Sequence, residues 1–419
     1  MTESLSPSAP PADMIDFRCP QCQKLLRISA AAAGKQAQCP ECRASMIVPA
    51  PASAGSPAPT DGSVGVPPFG GTPPPEGGTP TQEPIRDTLP LGKLPHVSTS
   101  EAMAPTKALF DRITAEVRKV YIGQDELVLG TLVALFSSGH VLIESVPGLG
   151  KTLFVRTLGR VLGCRFGRIQ FTADLMPSDI TGAPIFDMKT QEFRFHPGPV
   201  FTQFLLADEI NRSPAKTHAA LLEIMQEYRV TIERTSHKLD RPFLVLATQN
   251  PIESEGTYNL PEAQLDRFMF KIVAEYPSVQ EEAVVLKMHS QQVDLDQRLA
   301  TDLQTVTSPE EIVATTQTCG KVHVDDKLFD YINMLVRRTR EWPQFHMGAS
   351  PRAGISLVQG ARTLAAFYGR DYAVPDDVVQ IALPALRHRV ILTAEADVEG
   401  QQVDDQLREL IRTVEVPRL

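Results

Sequence analysis

Hydrophobic residues from about Pro105 to the end of the chain follow two alternating spacings, short apolar runs and apolar residues at helical intervals. The short runs predict buried strands, and the helical intervals predict helices between them. Strands separated by helices are typical of a parallel α/β sheet. The predicted strands are 140–144, 168–171, 201–207, 243–248 and 268–273, and the predicted helices are 108–120, 125–136, 153–162 and 216–227.

Towards the C-terminus the apolar residues occur only at helical intervals. Helices are predicted at 328–340, 354–368 and 376–386, and no further strand pattern is clear. We therefore expect an α/β domain over residues 105–276, followed by a smaller all-helical lid domain over residues 277–419.

The first hundred residues have a different composition. Residues 16–49 form a compact segment with paired cysteines, whereas residues 50–100 are dominated by Pro, Gly, Ser, Thr and Ala. The second segment has too few large apolar side chains to offset the entropy of ordering it. We predict that it is a disordered, flexible linker, extended in part by its prolines.

Composition and charge exclude some classes of protein. A hydrophobic content of 42% and a charged content of 22% suit a globular protein, and a net charge of −9 argues against coating nucleic acid or an anionic membrane. No apolar run approaches the roughly 18–20 residues that cross a bilayer. The N-terminus lacks the basic and apolar regions of a signal peptide, so we expect a cytoplasmic protein without a membrane span.

A glycine-rich turn follows the predicted strand 140–144 and precedes the predicted helix 153–162. The backbone N–H groups of such a turn can surround phosphate oxygens, and the helix N-terminus adds a favourable dipole. Lys151 would reach the β- and γ-phosphates of ATP, and the Thr152 hydroxyl would bind Mg²⁺. The alternative is a turn that binds nothing. The residues expected to hold the nucleotide here are Pro147, Gly148, Leu149, Gly150, Lys151 and Thr152.

Ser145 departs from the usual phosphate-binding pattern, which has glycine at this position. Because serine carries a Cβ, a positive φ would cost about 1 kcal/mol or more. We therefore expect Ser145 to end the strand with an ordinary φ, and nucleotide binding to survive.

Two acids and an asparagine follow two of the later strands. Asp208 and Glu209 end the run 201–207, and Asn250 comes shortly after the run 243–248. The carboxyl ends of parallel strands form the ligand edge of such sheets. Asp208 would hold Mg²⁺ through water, Glu209 would orient or deprotonate the attacking water, and Asn250 would bind the γ-phosphate or that water. The alternatives are solvated acids and a plain Asn-Pro turn.

Two arginines are further candidates. Arg267 follows Asp266, and two such neighbours taken alone more often form an ion pair than anything else. Arg352 falls in the first turn of a predicted helix, which is an unfavourable place for a cation in the field of the helix dipole. A bound anion would relieve this.

Together these stretches resemble the MoxR family of AAA+ ATPases, and they occur in the family's order between residues 105 and 419. The resemblance implies an AAA+ P-loop domain with a helical lid that hydrolyses ATP with Mg²⁺. The matching stretches are Val-Pro-Gly-Leu-Gly-Lys-Thr (146–152), Ala-Asp-Glu-Ile-Asn-Arg-Ser-Pro-Ala-Lys (207–216), Ala-Thr-Gln-Asn-Pro (247–251), Glu-Gly-Thr-Tyr-x-Leu-Pro-Glu-Ala-Gln-Leu-Asp-Arg-Phe (255–268) and Gly-Ala-Ser-Pro-Arg (348–352).

The resemblance also implies a role for each matching residue. In this family an arginine of one subunit, the arginine finger, reaches the nucleotide of its neighbour, so hydrolysis depends on assembly. The resemblance therefore implies a homo-oligomer, expected to be a hexameric ring. The implied roles are Walker A for Lys151 and Thr152, Walker B for Asp208 and Glu209, sensor 1 for Asn250, the arginine finger for Arg267, sensor 2 for Arg352, and adenine contact for Ile122, Gly123 and Gln124.

Two β-hairpins are predicted as inserts. The runs 184–187 and 192–196 alternate around a short polar turn, and the runs 229–233 and 237–240 form a second candidate. MoxR-like and chelatase-like proteins carry an insert resembling the first hairpin near the pore of the ring. The first hairpin either contacts a client or is a structural decoration.

Four cysteines near the N-terminus form two Cys-x-x-Cys pairs, Cys19 with Cys22 and Cys39 with Cys42. This spacing is a four-thiolate zinc signature, with two tight turns completing a tetrahedron. Without a secretory signal, zinc is favoured over disulfides. The segment resembles a zinc ribbon. Its basic residues either contact nucleic acid or form a solvated surface, and we favour the latter.

The favoured function is an oligomeric ATPase that remodels or activates protein clients, as in MoxR relatives, some of which act with von Willebrand factor A domain proteins. The zinc ribbon would recruit a partner. One alternative is a nucleic-acid-remodelling ATPase, against which the acidic balance weighs. Another is an ATP-bound scaffold that hydrolyses slowly.

Overall fold

The computed structural model describes residues 14–18, 25–29, 35–38, 45–47, 99–146, 148–232, 235–250, 258, 260–290 and 295–417. The chain divides into two compact units, residues 1–81 and 82–419.

The first unit contains two antiparallel strand pairs. Strand β1 (Met14–Arg18) pairs with β2 (Leu25–Ser29), and β3 (Gln36–Gln38) pairs with β4 (Ser45–Ile47). The four cysteines lie between the paired strands in sequence but outside the described residues, so the zinc ribbon stays a prediction. Residues 50–98 of the predicted linker also lie outside the described residues.

The second unit begins with the α/β region. Its elements, in chain order, are α1 (Ala104–Val117), α2 (Asp125–Phe136), β5 (Val141–Ser145), α3 (Lys151–Val161), β6 (Phe166–Gln170), α4 (Pro177–Thr181), β7 (Gly182–Asp187), β8 (Glu192–Pro197), β9 (Phe204–Asp208), α5 (Ala215–Glu227), β10 (Arg229–Ile232), β11 (Thr235–Lys238), β12 (Leu244–Gln249), α6 (Glu262–Leu265) and β13 (Phe270–Ala274).

Within the described residues, one sheet contains five parallel strands in the order β13-β5-β12-β9-β6. Strands buried on both faces by helices are expected to be almost continuously apolar. Strand β9 fits this, since all five of its residues are buried. The predicted parallel α/β sheet is therefore confirmed, with strand bounds shifted by one to three residues from those predicted.

Alternate residues of the central strands enter two hydrophobic cores, one on each face of the sheet. Phe204 and Leu206 of β9 pack into one core, whereas Leu205 and Ala207 pack into the other. This follows from the period of two along a strand. Because both faces of the sheet are covered, its functional polar residues lie at the ends of the strands.

Both predicted hairpins are present. Strands β7 and β8 are antiparallel from Gly182 opposite Pro197 to Asp187 opposite Glu192, and β10 pairs with β11 in the same sense. Gly182 has φ +85°, and a Cβ there would collide with the backbone of residues 196–198. Only glycine therefore fits at the base of the first hairpin.

The remaining elements form the helical region. They are α7 (Val279–Ser290), α8 (Leu295–Thr301), α9 (Pro309–Cys319), α10 (Asp326–Glu341), β14 (Phe345–Met347), α11 (Pro351–Phe367), α12 (Pro375–Leu386), β15 (Ile391–Leu392), α13 (Ala394–Val398) and α14 (Val403–Thr413).

The helical region confirms the predicted helices and adds one small strand pair. Strands β14 and β15 are antiparallel and only two or three residues long, too short to show an alternating pattern in the sequence. Helix α10 buries Leu328, Leu335 and Val336 on one face, which is the spacing of an amphipathic helix. In the part of the chain that the structure describes, no helix has the length and apolar character needed to cross a membrane.

Candidate nucleotide-binding site

The loop between β5 and α3 has the backbone geometry of a phosphate cradle. Gly148 and Gly150 adopt φ +89° and +72°, and a Cβ on Gly148 would meet no atom within 4 Å. Gly150 caps the N-terminus of α3, and Lys151 and Thr152 form its first turn. Among the described residues Lys151 has no ion-pair partner. The loop therefore offers an anion open space, the N–H groups at the start of a helix and the ammonium group of Lys151.

Ser145 is the last residue of β5 and does not adopt a positive φ, as expected from the sequence. Its side chain is buried, and its hydroxyl has no hydrogen-bond partner among the described residues. Serine is therefore accommodated at the position of the usual glycine without backbone strain.

Asp208 ends β9 at the same edge of the sheet as the loop, and Glu209 follows it directly. Thr248 Oγ1 donates to Asp208 Oδ1 at 2.7 Å, and Arg168 lies 2.7 Å from Asp208 Oδ2. Glu209 follows β9 and adopts φ 56° and ψ 50°, a left-handed conformation. Gln170 donates to Glu209 Oε2 at 2.7 Å.

The neighbouring strand β12 brings the third polar element to this edge. Asn250 is buried directly after β12. Gln249 lies opposite Glu144 of β5 and donates to its carboxylate at 2.6 Å, while Lys271 forms an ion pair with the same oxygen at 2.7 Å. The edge therefore combines the loop, the acids and Asn250, as the sequence predicts.

The candidate adenine contact lies next to the phosphate loop. Gly123 and Gln124 both adopt positive φ, and the Gln124 side chain donates to the backbone oxygen of Glu275. Tyr121, two residues before Gly123, packs its ring against that of Phe154 of α3, with the ring centroids 4.8 Å apart. Ile122, Gly123 and Gln124 are therefore adjacent to the helix that follows the loop.

Arg267 and Arg352 lie at the opposite edge of the sheet. Met269 donates to the backbone oxygen of His140, which precedes β5, so the start of β13 and the start of β5 share one edge. Asp266 is 3.7 Å from Arg352, so both arginines belong to this edge. Since β5 has five residues at about 3.3 Å each, the two edges are about 16 Å apart.

Asp266 relieves the unfavourable position of Arg352 that the sequence indicates. Its carboxylate lies beside Arg352 and accepts from Ser350 Oγ at 2.9 Å and from Arg389 Nε at 2.8 Å. A carboxylate of the chain itself thus supplies one anion beside Arg352. Arg267 does not form an ion pair with its neighbour, and its Nε has no hydrogen-bond partner among the described residues.

Comparisons with known proteins agree with this geometry. A family model described as "ATPase family associated with various cellular activities (AAA)" matches residues 140–270, and one described as "AAA lid domain" matches residues 337–410. The chain is 43% identical over 309 residues to "Uncharacterized protein YeaC" of Bacillus subtilis, covering 74% of this chain and 95% of that protein.

A second relative decides the family. The chain is 42% identical over 330 residues to "Chaperone MoxR1" of Mycobacterium tuberculosis, covering 76% of this chain and 85% of that protein. The chain belongs to the MoxR family of AAA+ ATPases. A solved structure of a putative ATPase from Cytophaga hutchinsonii matches with a TM-score of 0.70 and 40% identity, over 76% of this chain and 98% of that one.

Membership of the MoxR family implies that the protein hydrolyses ATP with Mg²⁺, and the site fits both. The open loop at Gly148 and the unpaired Lys151 suit the phosphates. Thr152 and Asp208 offer the hard oxygen donors that Mg²⁺ prefers. A bound Mg²⁺ would neutralise charge that develops on the β- and γ-phosphate oxygens.

The MoxR-family site also contains polar residues that the sequence analysis missed. Thr248 contacts both Asp208 and Glu209, whereas Arg168 contacts Asp208 and Gln170 contacts Glu209. Arg168 and Gln170 are two residues apart on β6, a spacing that places both side chains on one face of the strand. Their partners depend on the register between β6 and β9, which no motif in the sequence indicates.

Proposed function

We propose that this MoxR-family ATPase hydrolyses ATP between the subunits of a homo-oligomeric ring, expected to be a hexamer, and uses the cycle to remodel protein clients. The observation that carries the proposal is the placement of Arg267 and Arg352. Both lie about 16 Å from the edge that holds the phosphate loop of their own chain. An arginine at that edge reaches a nucleotide only if the nucleotide belongs to another subunit.

The residues of the loop edge have distinct proposed tasks in hydrolysis. The backbone of residues 147–150 and Lys151 hold the phosphates, and Thr152 and Asp208 hold the metal ion. Glu209 orients and deprotonates the attacking water, and Asn250 positions it against the γ-phosphate. Arg267 and Arg352 of a neighbouring subunit stabilise the charge that develops on the transferred group.

The first hairpin supports contact with protein clients. Ile185, Phe186, Met188 and Phe193, here called the apolar tip, are exposed, with Met188 at 83% and Phe193 at 70%. Exposed apolar groups of this kind mark interaction sites on proteins. The base of the hairpin is fixed, because Phe195 stacks on His237 of the second hairpin at 4.2 Å. A relative in the same family carries the name chaperone.

Glu209→Gln tests the assignment of the water-activating residue. The amide cannot accept a proton, so we expect ATP binding to remain and turnover to fall by on the order of 100-fold or more. Equilibrium binding of a fluorescent ATP analogue and phosphate release measure the two properties. The control is Glu227→Gln, at an exposed carboxylate of α5 that pairs with Arg229. Retained turnover in Glu209→Gln would remove Glu209 from the proposed role.

The zinc ribbon, a von Willebrand factor A partner and a cytoplasmic location remain predictions from the sequence. For the ribbon, we propose that Cys19, Cys22, Cys39 and Cys42 bind one zinc ion and that the module recruits a partner. Metal analysis of the purified chain, with Cys19→Ser as the comparison, measures the zinc content directly.

A further inference from the structure

Thr248 is a fully buried residue in β12 whose hydroxyl joins the two acids of the neighbouring strand. Its Oγ1 donates to Asp208 Oδ1 at 2.7 Å and accepts from the backbone N–H of Glu209 at 2.9 Å. The side chain is 0% exposed. A single hydroxyl therefore donates a hydrogen bond to the last residue of β9 and accepts one from the residue that follows.

We propose that Thr248 is a positioning residue for ATP hydrolysis, which orients the Asp208 carboxylate and fixes the peptide group between Asp208 and Glu209. The inference rests on the roles proposed above for Asp208 and Glu209. Thr248 itself is not proposed to touch the nucleotide.

The backbone of Glu209 needs such support. Its φ of 56° and ψ of 50° are unfavourable for a residue with a Cβ. Conformations of this kind persist when surrounding groups determine them. The hydrogen bond from the Glu209 N–H to Thr248 holds the peptide group between Asp208 and Glu209, and so fixes the point from which the left-handed turn begins.

The register of the sheet makes the contact specific. Leu246 and Ala247 of β12 lie opposite Leu206 and Ala207 of β9, so the next residue, Thr248, faces the end of β9. Asn250 follows two residues later, directly after the end of β12. Thr248 thus ties the strand that carries Asn250 to the acids, and holds the groups that act on the metal ion and the water in one fixed relation.

The test compares two substitutions at this position. Thr248→Val keeps the shape of the side chain and removes both hydrogen bonds, whereas Thr248→Ser keeps the hydroxyl. For the valine variant we expect kcat to fall by on the order of 10- to 100-fold and the Mg²⁺ concentration for half-maximal nucleotide binding to rise about tenfold. Binding of the fluorescent ATP analogue in EDTA should be unchanged, since Asp208 is needed only when Mg²⁺ is bound.

The matched control is Thr131→Val. Thr131 is also 0% exposed, and its hydroxyl has no hydrogen-bond partner among the described residues. It lies on α2, outside the proposed site. We expect this variant to match the wild type in kcat and Mg²⁺ dependence. A role of Thr248 in folding alone would lower the amount of folded protein without shifting the Mg²⁺ dependence of what remains.

The outcomes separate this inference from the proposed function. Positioning through the hydroxyl is supported if Thr248→Ser has the kcat and Mg²⁺ dependence of the wild type while Thr248→Val has a lower kcat and needs more Mg²⁺. Wild-type behaviour of Thr248→Val, while Glu209→Gln is inactive, overturns the inference and leaves the proposed site intact. Full turnover in Glu209→Gln would instead overturn the site assignment on which the inference depends.

Discussion

Asp266 is the residue at which the start of β13 meets the helical region. Its carboxylate accepts from Ser350 and from Arg389, whose side chain is almost completely buried. Burial lowers the pKa of Arg389, and the hydrogen bond to Asp266 opposes that shift. Breaking a buried pair from one side leaves an uncompensated charge, which is more costly than losing the pair as a whole.

Asp266→Asn should therefore destabilise the protein strongly. We expect a loss of about 3–5 kcal/mol in the free energy of unfolding, because Arg389 would remain buried without its counter-charge. Urea unfolding followed through Trp342, which is the one tryptophan in the chain, measures it. The control is Asp240→Asn, because the ion-pair partner of Asp240, Arg165, is exposed. For this variant we expect the free energy of unfolding to fall by less than about 1 kcal/mol. Equal effects in the two variants would contradict this account.

The sequence predicts the positions of some residues of the candidate site but not of others. Asp208 and Asn250 stand at the ends of apolar strands, and Lys151 follows one after a short glycine-rich loop, so their shared edge can be inferred from strand order alone. Thr248 could not be inferred, because its partners depend on the register between two strands separated by 35 residues of chain. The contact between Asp266 and Arg352 was also missed, since it joins the α/β region to a helix far along the chain.

Among the elements, the hairpin of β7 and β8 combines a fixed base with an exposed end. Phe186 and Phe193 face each other across the strands with ring centroids 5.2 Å apart, in an edge-to-face arrangement. Both rings remain exposed although they contact each other. An element that holds apolar rings in water without covering them is suited to bind apolar segments of another protein.

Replacing both rings, Phe186→Ser with Phe193→Ser, should separate client binding from hydrolysis. We expect basal ATP turnover to stay within about twofold of wild type, because surface substitutions change stability by less than about 0.5 kcal/mol. Suppression of the aggregation of a reduced, unfolded test protein, measured by light scattering, should be lost. Val398→Ser is the control, since Val398 is a similarly exposed apolar residue on α13. Equal loss in the control would indicate a general surface effect.

For the molecule as a whole, the separation of the phosphate loop from Arg267 predicts complementation between inactive subunits. Arg267→Ala should bind ATP and lose turnover, and Lys151→Ala should lose binding but keep its arginine. In an equal mixture, about a quarter of interfaces would combine an intact loop with an intact arginine, giving about a quarter of wild-type turnover. Phosphate release after mixing measures this, and a mixture with no more activity than its components would contradict hydrolysis between subunits.

The two opposite edges of the sheet also have a consequence for inheritance. Under the proposed hydrolysis between subunits, a copy that carries both Lys151→Ala and Arg267→Ala would disable its own pocket and the pocket of one neighbour. In a cell that makes intact and doubly defective copies equally, about three quarters of the working sites would be silent, because a site works only when both contributors are intact. Such an allele would therefore be dominant over the intact gene, although its product does nothing by itself.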